Sequence, residues 1–361
     1  MRRYRNNIRD VAEAAGVSVT TVSHVLNNRM PTRYAAATRD RVLKAVRKLS
    51  YTPNAGARAI GLRKFNTVGV LLSMDPRGSY LPQDLLRGLA AGLHQAGYRL
   101  NVMQLPDEAI STPTFIPSLH KEWQVDGLIS NYTTLEQPQS WTELLEHHAV
   151  PVVYINCLGH YPVVRPDDFR AGQMAVEWLA AHGHRRIAYA GMLSAHYSAA
   201  ERLRGWSEAC RRLDLPVPKA WHRDAGRLNG AQWADALARL PAGERPTGVV
   251  FYGVGPYWQF TNRKHALGLD APTCDVCLGS DQSFGPAGLQ CVTTDWRAIG
   301  AKATRLLADI IAARARGDLA FEPLRETLQA PEWVGEASPG GADFKLQLAR
   351  ITRVKSTRRS A

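Results

Sequence analysis

Long apolar runs are missing from this chain of 361 residues. No stretch reaches the roughly 18 apolar residues that a membrane-spanning helix needs, so no membrane association is expected. The opening MRRYRNNIRD is basic, but the apolar segment of a secretory signal does not follow it. We therefore expect a globular protein of the cytoplasm.

The chain has five cysteines, an odd number that argues against a disulfide framework when no secretory signal is present. Cys274 and Cys277 form a CxxC motif, but no second Cys or His pair lies near it in the sequence to complete a zinc site. Two interpretations remain: core cysteines of a short buried strand, which the apolar setting favours, and a metal or redox site. Neither a metal nor a cofactor is expected.

The sequence motifs of common enzymes are also missing. The chain has no nucleophile elbow, no phosphate-binding P-loop, no GxGxxG after a strand and no sequence cluster of metal ligands. An enzyme is therefore not expected. The length and the hydrophobic content of 45% suffice for about two or three packed domains.

Acidic residues are scarce at both ends of the chain. Residues 1–66 contain 14 Lys and Arg against 3 Asp and Glu, and residues 339–361 contain 6 against 1. The middle, 67–338, has 25 against 28 and is close to neutral. A basic segment in front of a neutral body is typical of a protein that meets a polyanion, although a solvated basic face has the same composition.

Residues 8–50 predict three short amphipathic helices. Gly16 ends the first helix, and Ser18 is a good N-cap for the second, whose polar residues lie off its apolar face. A bracing helix, a glycine turn and a second helix with outward polar residues are typical of a helix-turn-helix domain; a small bundle with a polar face is the alternative. The apolar positions are Ile8, Val11, Ala12, Ala15; Val19, Val22, Val25, Leu26; and Val42, Leu43, Val46 and Leu49.

From residue 67 onward, strand-like apolar runs alternate with amphipathic helices. This alternation predicts parallel sheets with covered faces, and the number of runs favours two α/β lobes over one sheet. The strand runs are TVGVLLS, YRLNVMQL, VDGLIS, VPVVYIN, RRIAYAG, TGVVFYG and DVCLGS. The predicted helices are Gln83–Gln95, Arg170–His182, Ala200–Leu213, Asn229–Leu240 and Ile299–Ala315.

The segment IRDVAEAAGVSVTTVSHVLNN, followed by ATRDRVLKAVRKLSYTPNAGARAI, resembles the head of the lactose-repressor (LacI) family along its whole length. RLRGW, HGHRRIAYAG and CVTTDWRAIG continue the resemblance through the rest of the chain. It implies an all-α helix-turn-helix head over 1–50 and a hinge helix with linker over 51–66. A two-lobed α/β body like periplasmic binding proteins, for effector binding and dimerisation, follows over 67–337. Residues 338–361 are expected to form a disordered basic tail.

The resemblance implies DNA contacts on the second helix and in the hinge. Val19 and Thr20 occupy the first base-reading positions, and His24 stands where many members have arginine. Ile60 replaces a leucine that wedges into the minor groove and bends the operator. The loop from Asn27 to Thr38 is about two residues longer than is common in the family. The other implied residues hold phosphates, cap the helix or support the head and hinge: Ser18, Thr21, Ser23, Asn27, Tyr51, Asn54, Ala57 and Arg58.

The resemblance also implies an effector between the lobes, at the carboxyl ends of the strands. Arg202 matches an arginine that grips effector hydroxyls or a carboxylate, and Asp281 matches an aspartate that accepts effector hydrogen bonds. Asn156 and Tyr80 are further candidates. The alternatives are a surface position on a helix for Arg202, a turn for Asp281 and a loop for Asn156. Asp168, with Gly172, resembles the family's DNxxG and is interpreted as structural.

One stretch departs from the family pattern. Members usually have Asn-Asp after the strand that here reads GVVFY, whereas this chain has Gly253 and Val254. Tyr257 and Trp258 make the stretch aromatic, and Phe260 follows. Core packing is the default interpretation, and a pocket that stacks on a ring of the effector is the alternative.

These features together predict an effector-responsive transcription regulator. We expect a repressor that binds a pseudo-palindromic double-stranded DNA operator as a homodimer, with a sugar or sugar derivative as effector. A solute-binding protein that serves a transporter is the alternative of another class, which the basic N-terminal segment disfavours. A regulator that no longer uses an effector is the milder alternative.

Overall fold

The computed structural model describes most of the chain. The described residues are 6–27, 32–52, 64–74, 79–105, 125–131, 150–159, 161–191, 196–222, 230–269, 273–279, 289–318 and 320–334. They belong to two compact units, which we call the N-terminal unit (Met1–Phe65) and the C-terminal unit (Asn66–Ala361). The predicted hinge helix and the predicted tail lie outside the described residues.

The described part of the N-terminal unit contains three helices: α1 (Ile8–Ala15), α2 (Val19–Leu26) and α3 (Ala36–Lys48). A capping box begins α1, because the Asn7 side chain accepts from two backbone amides and the Asp10 carboxylate accepts from the Asn7 amide at 2.6 Å. Gly16 ends the helix as predicted, with a φ of 62° that only glycine adopts at little cost. The sequence therefore specifies both ends of α1.

The core of the N-terminal unit consists of the apolar faces that the helical spacing predicts. Val11, Val22 and Val42, one from each helix, are buried at its centre. Smaller and half-buried apolar side chains surround them. This packing holds α2 against the other two helices and leaves its opposite face outward.

Lobe 1 of the C-terminal unit is a parallel six-stranded sheet in the order β10-β5-β4-β3-β1-β2. Helices α4 (Gln83–Gln95) and α9 (Trp296–Ala315) cover one face. The strands are β1 (Thr67–Ser73), β2 (Arg99–Leu105), β3 (Gly127–Ser130), β4 (Val152–Ile155), β5 (Val163–Pro166) and β10 (Glu326–Gln329).

Lobe 2 is a five-stranded sheet in the order β11-β9-β8-β7-β6, parallel except for β11, which runs antiparallel to β9. Its strands are β6 (Ile187–Ala190), β7 (Gly248–Phe251), β8 (Cys274–Leu278), β9 (Gln290–Thr294) and β11 (Pro331–Val334). Helices α5 (Asp168–Ala181) and α6 (Tyr197–Arg212) cover one face, and α7 (Gly230–Ala238) and α8 (Val254–Ala266) cover the other. The predicted fold class, a helix-turn-helix unit with a two-lobed α/β body, is confirmed.

The chain passes between the lobes at three single residues, Asp167, Asp295 and Ala330. Two of these crossings are also N-caps: the Asp167 carboxylate accepts from the Arg170 amide at 2.9 Å, and that of Asp295 from the Ala298 amide at 2.8 Å. Both caps follow the carboxyl ends of strands. The crossings therefore turn the carboxyl ends of the two sheets toward each other.

The CxxC cysteines lie on opposite faces of β8. Cys277 is fully buried in the core beneath α7 and α8, whereas Cys274 packs against the core beneath α5 and α6. Side chains alternate along a strand, so a spacing of three separates the two thiols. Burial raises the pKa of Cys274 to about 11. The core interpretation of the motif therefore matches the structure.

No helix of the described residues is both long and apolar enough to cross a membrane. No group of three or more His, Cys, Asp or Glu side chains in that part of the chain is arranged to hold a metal ion.

Candidate functional site

The outer face of α2 is polar. Val22 and Val25 are buried in the core, so residues on the other side of the helix face away from it. Thr20 and His24 lie one turn apart on that side, Thr20 exposed and His24 half-buried. This is the presentation that a helix needs in order to enter a DNA groove.

The first turn of α2 is held by Ser18, which is its N-cap as predicted. The Ser18 hydroxyl accepts from the Thr21 amide at 3.1 Å and lies 2.9 Å from the Thr21 hydroxyl. Val19, beside them, is 40% exposed. Its position suits contact with the apolar edge of a base.

The imidazole of His24 has a fixed partner. Its Nδ1 lies 2.8 Å from the hydroxyl of Tyr34, which comes from the loop between α2 and α3. The two ring centroids are 6.0 Å apart. Tyr34 was not among the residues that the sequence singled out.

Asn27 and Tyr51 support the unit. The side-chain amide of Asn27 donates from Nδ2 to the Ser23 carbonyl at 2.8 Å and closes the last turn of α2. The Tyr51 amide donates to the carbonyl of Val46, and its half-buried ring packs on the core. The predicted contacts Asn54, Ala57, Arg58 and Ile60, and the predicted effector contact Asp281, lie outside the described residues.

Arg202, on α6, is buried where strands of lobe 2 end. Its Nε donates to the Asp168 carboxylate at 2.6 Å, and its Nη1 donates to the Tyr252 carbonyl at 2.8 Å and to the Leu278 carbonyl at 3.4 Å. The guanidinium also lies 4.6 Å from the centre of the Tyr252 ring. The side chain that the sequence assigned to the effector is therefore already hydrogen-bonded to α5, to the end of β7 and to β8.

Arg202 stays charged in spite of its burial. Burial disfavours that charge, but the Asp168 carboxylate together with the hydroxyls of Tyr252 and Tyr189 outweighs the effect, and the pKa of Arg202 is raised. Burial also raises the pKa of Tyr189 and of Tyr197. Both phenols therefore stay protonated and can donate hydrogen bonds.

Asn156 links the two lobes at the carboxyl end of β4. It is buried and has a φ of 57°, in the left-handed region. Tyr197 donates from its hydroxyl to the Asn156 side-chain oxygen at 3.2 Å, and His196 donates from Nε2 to the Asn156 carbonyl at 3.0 Å. The Arg165 guanidinium, from lobe 1, lies 5.3 Å from the centre of the Tyr197 ring. Asn156 and Arg202 thus belong to the same region between the sheets.

Several buried oxygens near the strand ends have no hydrogen-bond partner in the described part of the chain. They include Oδ2 of Asp168, the hydroxyl of Tyr189, Oδ1 of Asn131 and Oγ of Ser130. A buried polar atom without a partner is costly, so native proteins usually satisfy it with water or a ligand. These atoms give both lobes free hydrogen-bonding capacity at the ends that face each other.

The aromatic candidates Tyr257 and Trp258 lie on α8. Tyr257 is 7% exposed and packs edge-on against Phe251, with ring centroids 5.4 Å apart, in the core beneath α7 and α8. Phe260 lies in the same core. Trp258 is 40% exposed beside Tyr257. For Tyr257 the contacts agree with the default interpretation of core packing.

Tyr80 lies beyond the carboxyl end of β1, about half exposed. Its ring packs edge-on against Trp296 with centroids 5.3 Å apart, and its carbonyl accepts from the side-chain Nδ2 of Asn131 at 2.7 Å. It therefore adjoins the unpartnered Asn131 oxygen in lobe 1.

Sequence reasoning missed several polar side chains of this region. Asp168 was interpreted as structural, and Asn131, Tyr189 and Tyr252 were not singled out. Asn131 directly follows β3, and Tyr252 directly follows β7. A search for polar residues directly after each strand run would have found these two.

Three family models match the chain. They are "Bacterial regulatory proteins, lacI family" over residues 7–54, "Periplasmic binding proteins and sugar binding domain of LacI family" over 66–225, and "Periplasmic binding protein-like domain" over 176–328. The first covers α1, α2 and α3, and the other two cover most of both lobes.

Similar proteins agree with these models. The HTH-type transcriptional repressor PurR of Vibrio vulnificus is 27% identical over 330 residues, which cover 87% of this chain and 95% of that protein. PurR of Photobacterium profundum is 30% identical over 253 residues, 68% of this chain and 72% of that protein.

Solved structures share the fold. A lac repressor dimer bound to operator and the anti-inducer ONPF has a TM-score of 0.70 at 23% identity, covering 92% of this chain and 98% of that one. A complex of the transcriptional regulator CelR with cellobiose has a TM-score of 0.59 at 20% identity, covering 93% of this chain and 100% of that one.

Proposed function

We propose that this chain, which belongs to the LacI family of bacterial regulatory proteins, is a repressor. We propose further that a small hydroxylated effector changes its affinity for its operator. The chain is a DNA-binding transcription regulator. In this proposal two copies bind a pseudo-palindromic operator through their N-terminal units. A sugar or sugar derivative binds between the lobes and changes the affinity for DNA.

The polar outer face of α2 is the observation that carries the proposal. Thr20 and His24 are presented one turn apart on a helix whose other side is locked into a core. The unit around them is strongly basic, which suits the phosphates on either side of a groove. One such unit reads few base pairs, and therefore pairing of two copies is proposed.

We expect His24→Ala to relax base preference at one operator position in each half-site. The loss of that contact costs roughly 1–3 kcal/mol for the preferred sequence, because a side chain that reads a base edge contributes only when the right base is present. Operators are selected from randomised duplexes, and binding to single-base variants is then measured with the full chain.

Lys48→Ala is the matched control for the His24 experiment. It removes a cation from the same basic unit outside α2, so any DNA contact it loses is to phosphate and affects all sequences alike. If His24→Ala binds every operator variant as the wild type does, the assignment of His24 is wrong.

The unpartnered oxygens support the effector part of the proposal. Asp168 Oδ2 and Asn131 Oδ1 are acceptors, and the Tyr189 hydroxyl both donates and accepts. Neighbouring hydroxyl groups on a small ring satisfy such a mixture better than an apolar ligand does. Arg202 would act mainly by holding Asp168 in place, since its guanidinium already has three protein acceptors.

We expect a sugar or sugar derivative to raise the melting temperature of the full chain. At 100 times its dissociation constant, a ligand that binds only the folded state stabilises it by about 2.7 kcal/mol. A thermal-shift screen of sugars, sugar acids and nucleobases measures this effect. Tyr189→Phe removes one unpartnered hydroxyl at no packing cost and should reduce the shift without lowering the melting temperature of the ligand-free protein. A screen in which nothing shifts the wild type favours the regulator without an effector.

A further inference from the structure

The loop between α2 and α3 places a tyrosine against the recognition helix. Tyr34 lies four residues before Thr38, in the loop between α2 and α3. Its half-buried ring packs on the core of the N-terminal unit, and its hydroxyl lies 2.8 Å from Nδ1 of His24. The ring is therefore anchored on one side and holds the imidazole on the other.

A hydrogen bond at one imidazole nitrogen fixes the role of the other. In a neutral imidazole, one nitrogen carries the proton and the other accepts. A phenol hydroxyl is the better donor of this pair, so its donation to Nδ1 of His24 leaves the proton on Nε2. Nε2 is then a donor, which matches N7 and O6 of guanine, N7 of adenine or O4 of thymine at the edge of the major groove.

We propose that Tyr34 is a positioning residue for base recognition: it holds the imidazole of His24 so that Nε2 presents a donor to the DNA. This inference rests on the proposed function, since it requires that His24 reads a base. A side chain held in its binding orientation before contact loses less rotational freedom on binding. Tyr34 thus sharpens sequence preference without touching the base.

The test compares four full-length proteins: wild type, Tyr34→Phe, His24→Ala and the double variant. Each is measured on the operator selected by the wild type and on its single-base variants. Tyr34→Phe keeps the ring in the core and removes only the hydroxyl. We expect it to reduce discrimination about three- to tenfold at the same base position that His24→Ala affects. Binding to DNA of unrelated sequence should not change.

The double variant separates positioning from folding. In the His24→Ala background, Tyr34→Phe should have no further effect, because the side chain it positions is gone. No hydrogen bond joins Thr20 to Tyr34 in the part of the chain that the structure describes, so the effects of Tyr34→Phe and Thr20→Ala should simply add. Nitrogen-15 NMR of the imidazole should place the proton on Nε2 in the wild type.

Three outcomes would overturn the proposal. They are an effect of Tyr34→Phe that persists in the His24→Ala background, a uniform loss over all operator variants, and a wild-type proton on Nδ1. The proposed function fails separately, when the wild type selects no sequence. If the wild type selects a sequence and the His24→Ala protein has the same base preference, His24 does not read a base. The positioning role of Tyr34 is then contradicted as well.

Discussion

Replacing Arg202 by methionine is expected to lower the free energy of unfolding of the C-terminal unit by about 3–5 kcal/mol, the usual cost of removing one partner from a buried ion pair. Asp168 is 1% exposed and Arg202 is 8% exposed, so the remaining carboxylate is left buried without a counter-charge. The carbonyls of Tyr252 and Leu278 lose their donor at the same time. Methionine fills much of the same volume, and the loss is therefore chiefly electrostatic.

Arg211→Met is the matched control on the same helix. Arg211 pairs with Glu208 three residues away, but the two side chains are 73% and 38% exposed. Exposed pairs of this kind contribute little to stability. Urea unfolding followed by tryptophan fluorescence compares the variants, since Trp206 and Trp233 are fully buried in lobe 2. Equal losses for the two variants would contradict the importance assigned to the buried pair.

Neutralising Asp168 as well tests the cause of that loss. The double variant Arg202→Met with Asp168→Asn no longer has a buried carboxylate without a counter-charge. Part of the stability lost in Arg202→Met should therefore return. The shift caused by a hydroxylated ligand should not return, because the new side-chain amide puts a donor in place of one acceptor of the proposed site. Recovery of both properties would show that Asp168 has no part in ligand binding.

Resemblance singled out Arg202 as an effector contact, which stays a prediction, but the surroundings of this side chain could not be predicted from sequence. The motif RLRGW pointed to it by resemblance. Asp168 lies 34 residues away in the chain and Tyr252 lies 50 residues away, on separate elements of lobe 2. Nothing in the spacing of a single sequence says that α5 and β7 meet at the same point. The same limit applied to Tyr34, ten residues from His24 in an irregular loop.

Elements with a strong apolar period were predicted closely. The run TVGVLLS is β1, and Gln83–Gln95 is α4 with the same ends. By contrast α8 was not among the predicted helices, and Gly253, Gly255 and Pro256 at its start are residue types that weaken a helix pattern. Pro256 is the third residue of the helix, where a backbone N–H has no intrahelical acceptor and its loss costs nothing. The sequences of the short strands β10 and β11 show little alternation of apolar and polar residues. Their formation depends on the strands with which they pair.

Gly205→Ala is expected to cost about 1–3 kcal/mol of stability, the usual range for overpacking, and to weaken ligand binding as well. Gly205 is where α6 meets α5: a Cβ added there would lie 2.0 Å from the carbonyl oxygen of Phe169. Backbone atoms cannot rotate out of the way, so the helices must separate. The gain of about 1 kcal/mol that alanine brings to a helix interior does not offset this clash.

The ligand site should be affected because of where the contact lies. Phe169 directly follows Asp168 at the start of α5, and Gly205 lies one turn after Arg202 on α6. Separation of the helices at this point pulls the carboxylate away from the guanidinium. We therefore expect Gly205→Ala to lose most of the ligand-induced thermal shift, in addition to its lower melting temperature.

Gly243→Ala is the control for this second experiment. An added Cβ at Gly243 meets nothing within 4 Å, and its φ is not in the left-handed region. Its melting temperature should match or slightly exceed that of the wild type, since alanine restricts the unfolded chain. If Gly205→Ala is destabilised and yet keeps the full ligand shift, the ligand does not depend on the Asp168–Arg202 geometry, and the effector site must be sought elsewhere between the lobes.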